Sequence, residues 1–177
     1  MFDFRAYIDF DGVINADKPR FDDVTTLDFK IKLGYGLVEI HTVTYSPTVL
    51  KAIEAMREKF NVEIVFLSTW NENMAILRVM SEMGYLSGAR VINPVIDRVT
   101  KTNRAWTLWK ADGIIADQKN DEVPFVWIDD EAIQFHKKNV DAATGSTPKL
   151  FVEPRGYWGL TASNISQMES FFKLHSK

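Results

Sequence analysis

Short apolar runs alternate along this chain with stretches whose apolar positions recur every three or four residues. Residues 5–10 (Arg-Ala-Tyr-Ile-Asp-Phe) read as a short buried strand, and runs of the same kind recur at 62–67, 89–92, 123–128 and 150–152. Pro124 fits the fourth of these only near its beginning. Val49, Ile53, Met56 and Phe60 mark a helix entered at Pro47, with Ser46 as its cap. Helices are also predicted over 71–83, stopped by Gly84, and over 100–111, ended near Gly113. A last helix follows Thr161 or Ser163 and carries Ile165, Met168 and Phe172 on one face. Residues 31–33 and 38–43 flank Gly34-Tyr35-Gly36, a pattern that suits a hairpin. Strand and helix in alternation predict an α/β protein: a Rossmann-like three-layer sandwich around a mainly parallel sheet of about five strands. In such sheets ligands sit outside the carboxyl ends of the strands, which is where chemistry is to be sought.

Composition narrows the chemistry. The 177 residues suit a single domain, and 46 % apolar with 25 % charged residues is ordinary for a globular protein. There is no cysteine, which removes disulfides, thiolate nucleophiles and cysteine-bound zinc. The three histidines, His41, His136 and His175, have no ligand-like spacing. A net charge of -3 lacks the bias of a general nucleic-acid binder, though a local basic rim remains compatible with it. No apolar run is long enough to span a membrane and the first residues have no signal-peptide form, so the expected location is the cytoplasm, or a host's cytoplasm for a phage-encoded protein. Asn164-Ile165-Ser166 then matches the glycosylation pattern by chance. Oligomeric state is not legible.

The strand ends carry the polar residues. The first ends in Tyr7-Ile8-Asp9-Phe10-Asp11-Gly12, two acids one residue apart followed by a glycine that permits a sharp exit. Carboxylates held this close repel unless a cation lies between them, and oxygen donors suit Mg²⁺. The second ends in Ser68-Thr69-Trp70 before a helix, a place where hydroxyls and free N–H groups grip phosphate. A strand near 128 ends in Asp129-Asp130-Glu131. Two lysines, Lys101 and Lys110, compete to reach a phosphate as a point charge; Lys101 is favoured because it opens its helix, whereas Lys110 falls at the far end of it.

These elements in this order resemble the haloacid dehalogenase superfamily, over a span from Tyr7 to about Glu131. Tyr45-Ser46-Pro47, Ser68-Thr69-Trp70 with Asn73, Trp127-Ile128-Asp129-Asp130-Glu131 and Gly159-Leu160-Thr161 are similar, more narrowly, to small domains of phages and actinobacteria related to those of multi-domain RNA repair proteins. The resemblance implies one domain over residues 1–177, with a small flap inserted at about 15–45 in place of a large cap. It implies a phosphatase in which Asp9 is the nucleophile and Asp11 the general acid and base. Asp9, the Asp11 carbonyl and Asp129 would hold Mg²⁺, with Asp130 either ligating it or orienting a bound water, while Ser68, with Thr69 as a near-equal competitor, and Lys101 bind the phosphoryl group. The implied substrate is a nucleotide or a nucleic-acid terminal phosphate, and an open site would admit a bulky one.

Other residues carry plainer expectations. Trp70 is expected to pack the helix start rather than stack on a base, and Trp106 and Trp109 to lie in the core. Asp22-Asp23 suits a turn and His136-Lys137-Lys138 a solvent face; Lys18-Pro19-Arg20 is a weak candidate for phosphate contact. A non-catalytic binder on the same fold has no need of Asp11, and a small-metabolite phosphatase is a further alternative. A phosphorelay receiver would carry its acidic pair early and its phosphoacceptor on a middle strand, the reverse of the order here.

Overall fold

A computed structural model describes residues 2–32, 38–94 and 102–176. Five parallel strands form the sheet in the order β5-β4-β1-β6-β7: β1 (Phe4–Ile8), β4 (Val62–Phe66), β5 (Arg90–Val91), β6 (Phe125–Ile128) and β7 (Lys149–Val152). β2 (Thr25–Lys32) and β3 (Val38–Tyr45) pair antiparallel as a separate hairpin. The fold is the Rossmann-like α/β architecture that the alternation predicts. The hairpin strands are longer than the predicted 31–33 and 38–43, and Gly34-Tyr35-Gly36 lies outside the described residues.

Helices cover both faces. α1 (Pro47–Phe60), α2 (Ala75–Met83) and α5 (Ala162–His175) pack on one, where Phe4, Ala6, Ile8, Ile64, Phe66 and Ile128 point. α3 (Asn103–Asn120) and α4 (Ala132–Thr144) pack on the other, against Tyr7, Val65, Leu67, Phe125 and Trp127. The strict alternation of these two sets along β1 is the period-two signature of a strand buried on both sides. The hairpin joins the first face through buried Phe29 and Val43.

Local chemistry explains most element boundaries. Thr161, not Ser163, caps α5, in a reciprocal capping box with Asn164. Ser46 makes no side-chain cap for α1. Its hydroxyl donates instead to Asp23, whose other carboxylate oxygen accepts from the Thr48 backbone N–H at 2.8 Å. Asp23, expected in a plain turn, thus caps α1 from a distant segment. The predicted helix at 71–83 begins as a 3₁₀ helix (Thr69–Met74) before α2 takes over.

The largest departure is α3, which runs to Asn120 instead of ending near Gly113. Gly113 sits inside it because a Cβ there would stand 3.0 Å from Ile92 Cγ2, so the glycine allows close helix–sheet approach rather than a stop. The far half of α3 is then tied to the sheet. Tyr7 Oη donates to Asp117 Oδ2 at 2.8 Å, Gln118 Nε2 donates to Tyr7 Oη at 3.0 Å, and Arg90 Nη2 donates to Asp117 Oδ2 at 2.7 Å. Two further expectations are corrected. His136 is buried and its Nε2 faces the Thr107 hydroxyl at 3.1 Å, because it lies on the inner side of α4; Lys137 and Lys138 do face solvent. Trp109 is core, whereas Trp106 is 41 % exposed.

Candidate active site

β1 lies between β4 and β6, and the strand order reverses there: the chain fills β4 and β5 on one side, then crosses over through α3 to β6 and β7 on the other. That switch point opens a crevice at the carboxyl ends. Asp9 follows β1 and Asp129 follows β6, with their backbones still laddered: Asp9 N–H donates to Ile128 O at 3.0 Å, and Asp129 N–H to Val152 O at 3.2 Å. Ser68 and Thr69 stand beyond the end of β4, on the other side of β1. Topology therefore brings three widely separated stretches of chain to one place.

The buried centre is a lysine between two carboxylates. Lys110 Nζ donates to Asp9 Oδ2 at 2.5 Å and to Asp129 Oδ2 at 2.8 Å. The other oxygens are also fixed. Asp9 Oδ1 accepts from the Phe10 N–H at 2.7 Å, while Asp129 Oδ1 accepts from the N–H groups of Glu131 and Ala132 at 2.9 and 2.6 Å, at the start of α4. Burial pushes the Asp9 carboxyl up to about 7; Lys110 opposes the shift and Asp129 adds to it. The two carboxylates in turn hold the Lys110 ammonium protonated, against its own burial. Asp130 is raised to about 6, by burial first and by Asp129 next.

Asp130 occupies a cradle made of glycine. A Cβ on Gly12 would lie 2.1 Å from Asp130 Oδ2, and one on Gly156 2.3 Å from the same atom. Gly12 also has φ +69°, which L side chains rarely adopt. Carboxylate oxygens of Asp9, Asp129 and Asp130 all lie within 4.8 Å of one another. Three hard oxygen donors so close, two of them buried, fit a divalent cation such as Mg²⁺.

Asp11 takes a separate place. It is exposed, and its oxygens accept from Asn15 Nδ2 at 2.7 Å and from Trp70 Nε1 at 2.8 Å. Its side chain is not one of the three clustered carboxylates. Ser68 is buried with its Oγ 3.4 Å from the Trp70 N–H, and Thr69 is exposed and lines a cavity of about 230 Å³ with Asp9, Asp11, Trp106, Lys110 and Asp130. Lys101 lies outside the described residues. Its rival Lys110 stands in mid-helix once α3 is seen at full length, which is why its side chain reaches the strand ends.

Sequence reasoning passed over Trp70 and Asn15 as partners of Asp11, and Gly156 as a neighbour of Asp130; those pairings are long-range or lie in loops, and no periodicity marks them. Lys110 did leave a signal. Thr107, Lys110, Ala111, Ile114 and Gln118 recur at helical spacing and are all buried, so the lysine sits on the inner face of its helix.

A parallel sheet whose switch point gathers Asp9, Asp129, Asp130 and a lysine defines a haloacid dehalogenase (HAD) type domain. The model of the HAD domain in Swiss Army Knife RNA repair proteins matches residues 6–165, and the chain belongs to that family. No curated protein matches it. HAD domains are generally phosphohydrolases and typically use Mg²⁺. No helix among the described residues is long and apolar enough to cross a membrane.

Proposed function

We propose that this protein is a Mg²⁺-dependent phosphohydrolase that works through an aspartyl-phosphate on Asp9 and removes a terminal phosphate from a nucleotide or nucleic-acid strand. The observation that carries the reading is the buried Asp9–Lys110–Asp129 array with Asp130 beside it and Asp11 tethered two residues from Asp9.

The two acids are divided as the chemistry requires. Asp9 is buried and immobilised, as suits a nucleophile that must meet phosphorus in line. Asp11 is exposed at the cavity, as suits a group that exchanges protons with substrate and water. An Asp9 oxygen forms a bond to phosphorus while the bond to the leaving oxygen breaks, and Asp11 delivers a proton to that oxygen. Asp11 then takes a proton from the incoming water, whose oxygen displaces Asp9 from phosphorus and releases inorganic phosphate. Lys110 offsets charge on the nucleophile and on the phosphoryl oxygens, and the Thr69 and Ser68 hydroxyls are the candidate donors to those oxygens. Mg²⁺, held by Asp9, Asp129 and Asp130, with the Asp11 carbonyl as a further oxygen, would supply positive charge against the transferring group.

The RNA repair context of the family supports a nucleic-acid substrate over a small metabolite. The test is turnover of an aryl phosphate with Mg²⁺ by wild type and Asp9→Asn. Loss of about a thousandfold or more is expected in the variant, and equal rates would end the phosphatase reading.

A further inference from the structure

The loops that leave β1 and β7 meet beside the carboxylates and carry a second surface. Gly12 on the first loop and Gly156 on the second both close on the Asp130 carboxylate. The loops are then laced together: Lys18 N–H donates to Tyr157 O at 2.8 Å, and Leu160 N–H to Val13 O at 2.9 Å. Lys18, Arg20 and Arg155 project from these loops and are exposed.

Their partners are aromatic rings. The Arg20 guanidinium carbon lies 3.3 Å from the centroid of the Trp158 ring, and that of Arg155 lies 4.8 Å from the same centroid. Lys18 Nζ lies 5.4 Å from the centre of Tyr157, a ring 47 % exposed. Among the described residues neither Arg20 nor Arg155 forms a salt bridge with a carboxylate, whereas Lys18 feels the charge of Asp17 and hydrogen-bonds the Tyr157 side chain. Two guanidiniums close to one indole are attracted to its negative π-cloud but repel each other, and an anion beside either would relieve the repulsion. Lys18, Arg20 and Arg155 thus gather three cations on loops that both touch Asp130, with Asp17 and Asp22 flanking the first two in the chain.

We propose that Lys18, Arg20 and Arg155, steadied by Trp158, form a ledge for the sugar–phosphate backbone of a single-stranded nucleic acid whose terminal phosphate enters the Asp9 site, with Tyr157 offering a ring on which a base stacks. The proposal rests on the phosphohydrolase reading and sharpens it: the substrate is a strand, not a mononucleotide. A strand presents a phosphate at every nucleotide and so supplies charge to the ledge after its end is committed to the site. A phosphopeptide spends its phosphate in the site and brings no second phosphate to the ledge. Arginine on an aromatic ring beside an exposed aromatic face is the combination that grips single strands without reading their sequence.

The test uses a fluorescent oligonucleotide of about ten nucleotides with a terminal phosphate, a length comparable to single-strand binding sites. Its affinity is measured by anisotropy in EDTA between about 50 and 200 mM salt. Arg20→Ala/Arg155→Ala is expected to weaken binding about tenfold and to flatten the plot of log affinity against log salt by about one unit, the share of one to two phosphate contacts. Arg20→Lys/Arg155→Lys is expected to keep most of the salt slope, which separates charge from folding damage. With Mg²⁺ present, the ratio of kcat/KM on the oligonucleotide to kcat/KM on an aryl phosphate is expected to fall by a similar factor in the alanine variant. Wild-type affinity and an unchanged ratio in that variant would overturn the ledge. An equal fall on a phosphoserine peptide would overturn its assignment to nucleic acid. Failure of wild type to hydrolyse either ester would sink the phosphatase reading alone, because anisotropy reads the ledge without turnover.

Discussion

Trp70 donates its indole N–H to Asp11 Oδ2 at 2.8 Å, so a side chain following β4 fixes the carboxylate that follows β1. The ring is itself braced, with Phe10 and His41 at centroid distances of 5.1 and 5.2 Å. Trp70 does pack the start of the 3₁₀ helix, as expected of it, but its nitrogen also sets where Asp11 points. Trp70→Phe keeps the packing and removes the donor. We expect kcat on an aryl phosphate to fall about three- to tenfold with KM little changed, the worth of one partly exposed charge-assisted hydrogen bond. A rise in KM with kcat intact would mean that Trp70 contacts substrate instead.

The Asp130 cradle predicts an unusual outcome for a small substitution. A methyl group at Gly156 would lie 2.3 Å from Asp130 Oδ2, and the atom that yields is the end of a side chain. Unlike Gly12, Gly156 does not need positive φ. Gly156→Ala should therefore cost less than about 1 kcal/mol in urea unfolding while raising the Mg²⁺ concentration for half-maximal activity about tenfold, as displaced ligand shells do. An unchanged Mg²⁺ requirement would remove Asp130 from the metal set.

On the α3 side of the sheet, towards the far end of that helix, lies a buried ion network that bears on stability alone. Arg5, 4 % exposed, donates to Glu63 at 2.6 Å and to Asp121 at 2.9 Å, and Arg90 joins Glu63 to Asp117. Arg5→Ala leaves those carboxylates short of a partner and should cost about 3 kcal/mol. Burial would raise Glu63 and Asp117, but hydrogen bonds and charge from Arg90, Arg5 and Tyr7 outweigh it and leave both below the usual carboxylate range. Acids depressed in this way stabilise the fold above their unfolded values and lose that contribution as pH falls through the folded ones. Wild type should thus lose stability below about pH 4.5, and Arg5→Ala should lose less across that range. Parallel curves for the two proteins would show that Arg5 does not set these carboxylates.

The parts of the molecule that were legible in the sequence were those set by local pattern. Apolar runs ending in acids placed Asp9, Asp11, Asp129 and Asp130 at strand ends, and the parallel order brought those ends together. What failed was punctuation. Gly113 looks like a helix stop by itself, yet close packing against Ile92 makes it an interior residue, and with the helix cut short Lys110 seemed remote. The partners of Asp11 and Asp130 come from Trp70 and Gly156, far along the chain. Arg155 and Trp158 likewise complete the ledge begun by Lys18 and Arg20 only once β7 lies beside β6. Tertiary proximity, not propensity, decides all of these.

Metal affinity should depend on pH with a sign fixed by burial. Desolvation raises Asp9 to about 7 and Asp130 to about 6, whereas an unfolded aspartate loses its proton near 3.8. Over that window the metal-free folded protein holds protons that the unfolded chain has released, so these two groups destabilise it progressively as pH rises. A divalent cation needs the carboxylates ionised and competes with the same protons. The rise in melting temperature on adding Mg²⁺ should therefore be small near pH 5 and grow up to about pH 7.5. Asp130→Asn removes one titrating group and one donor oxygen together, and should shrink both the Mg²⁺ effect and its pH dependence. A melting-temperature rise that is the same at both ends of the range would mean that the cation binds away from Asp9 and Asp130.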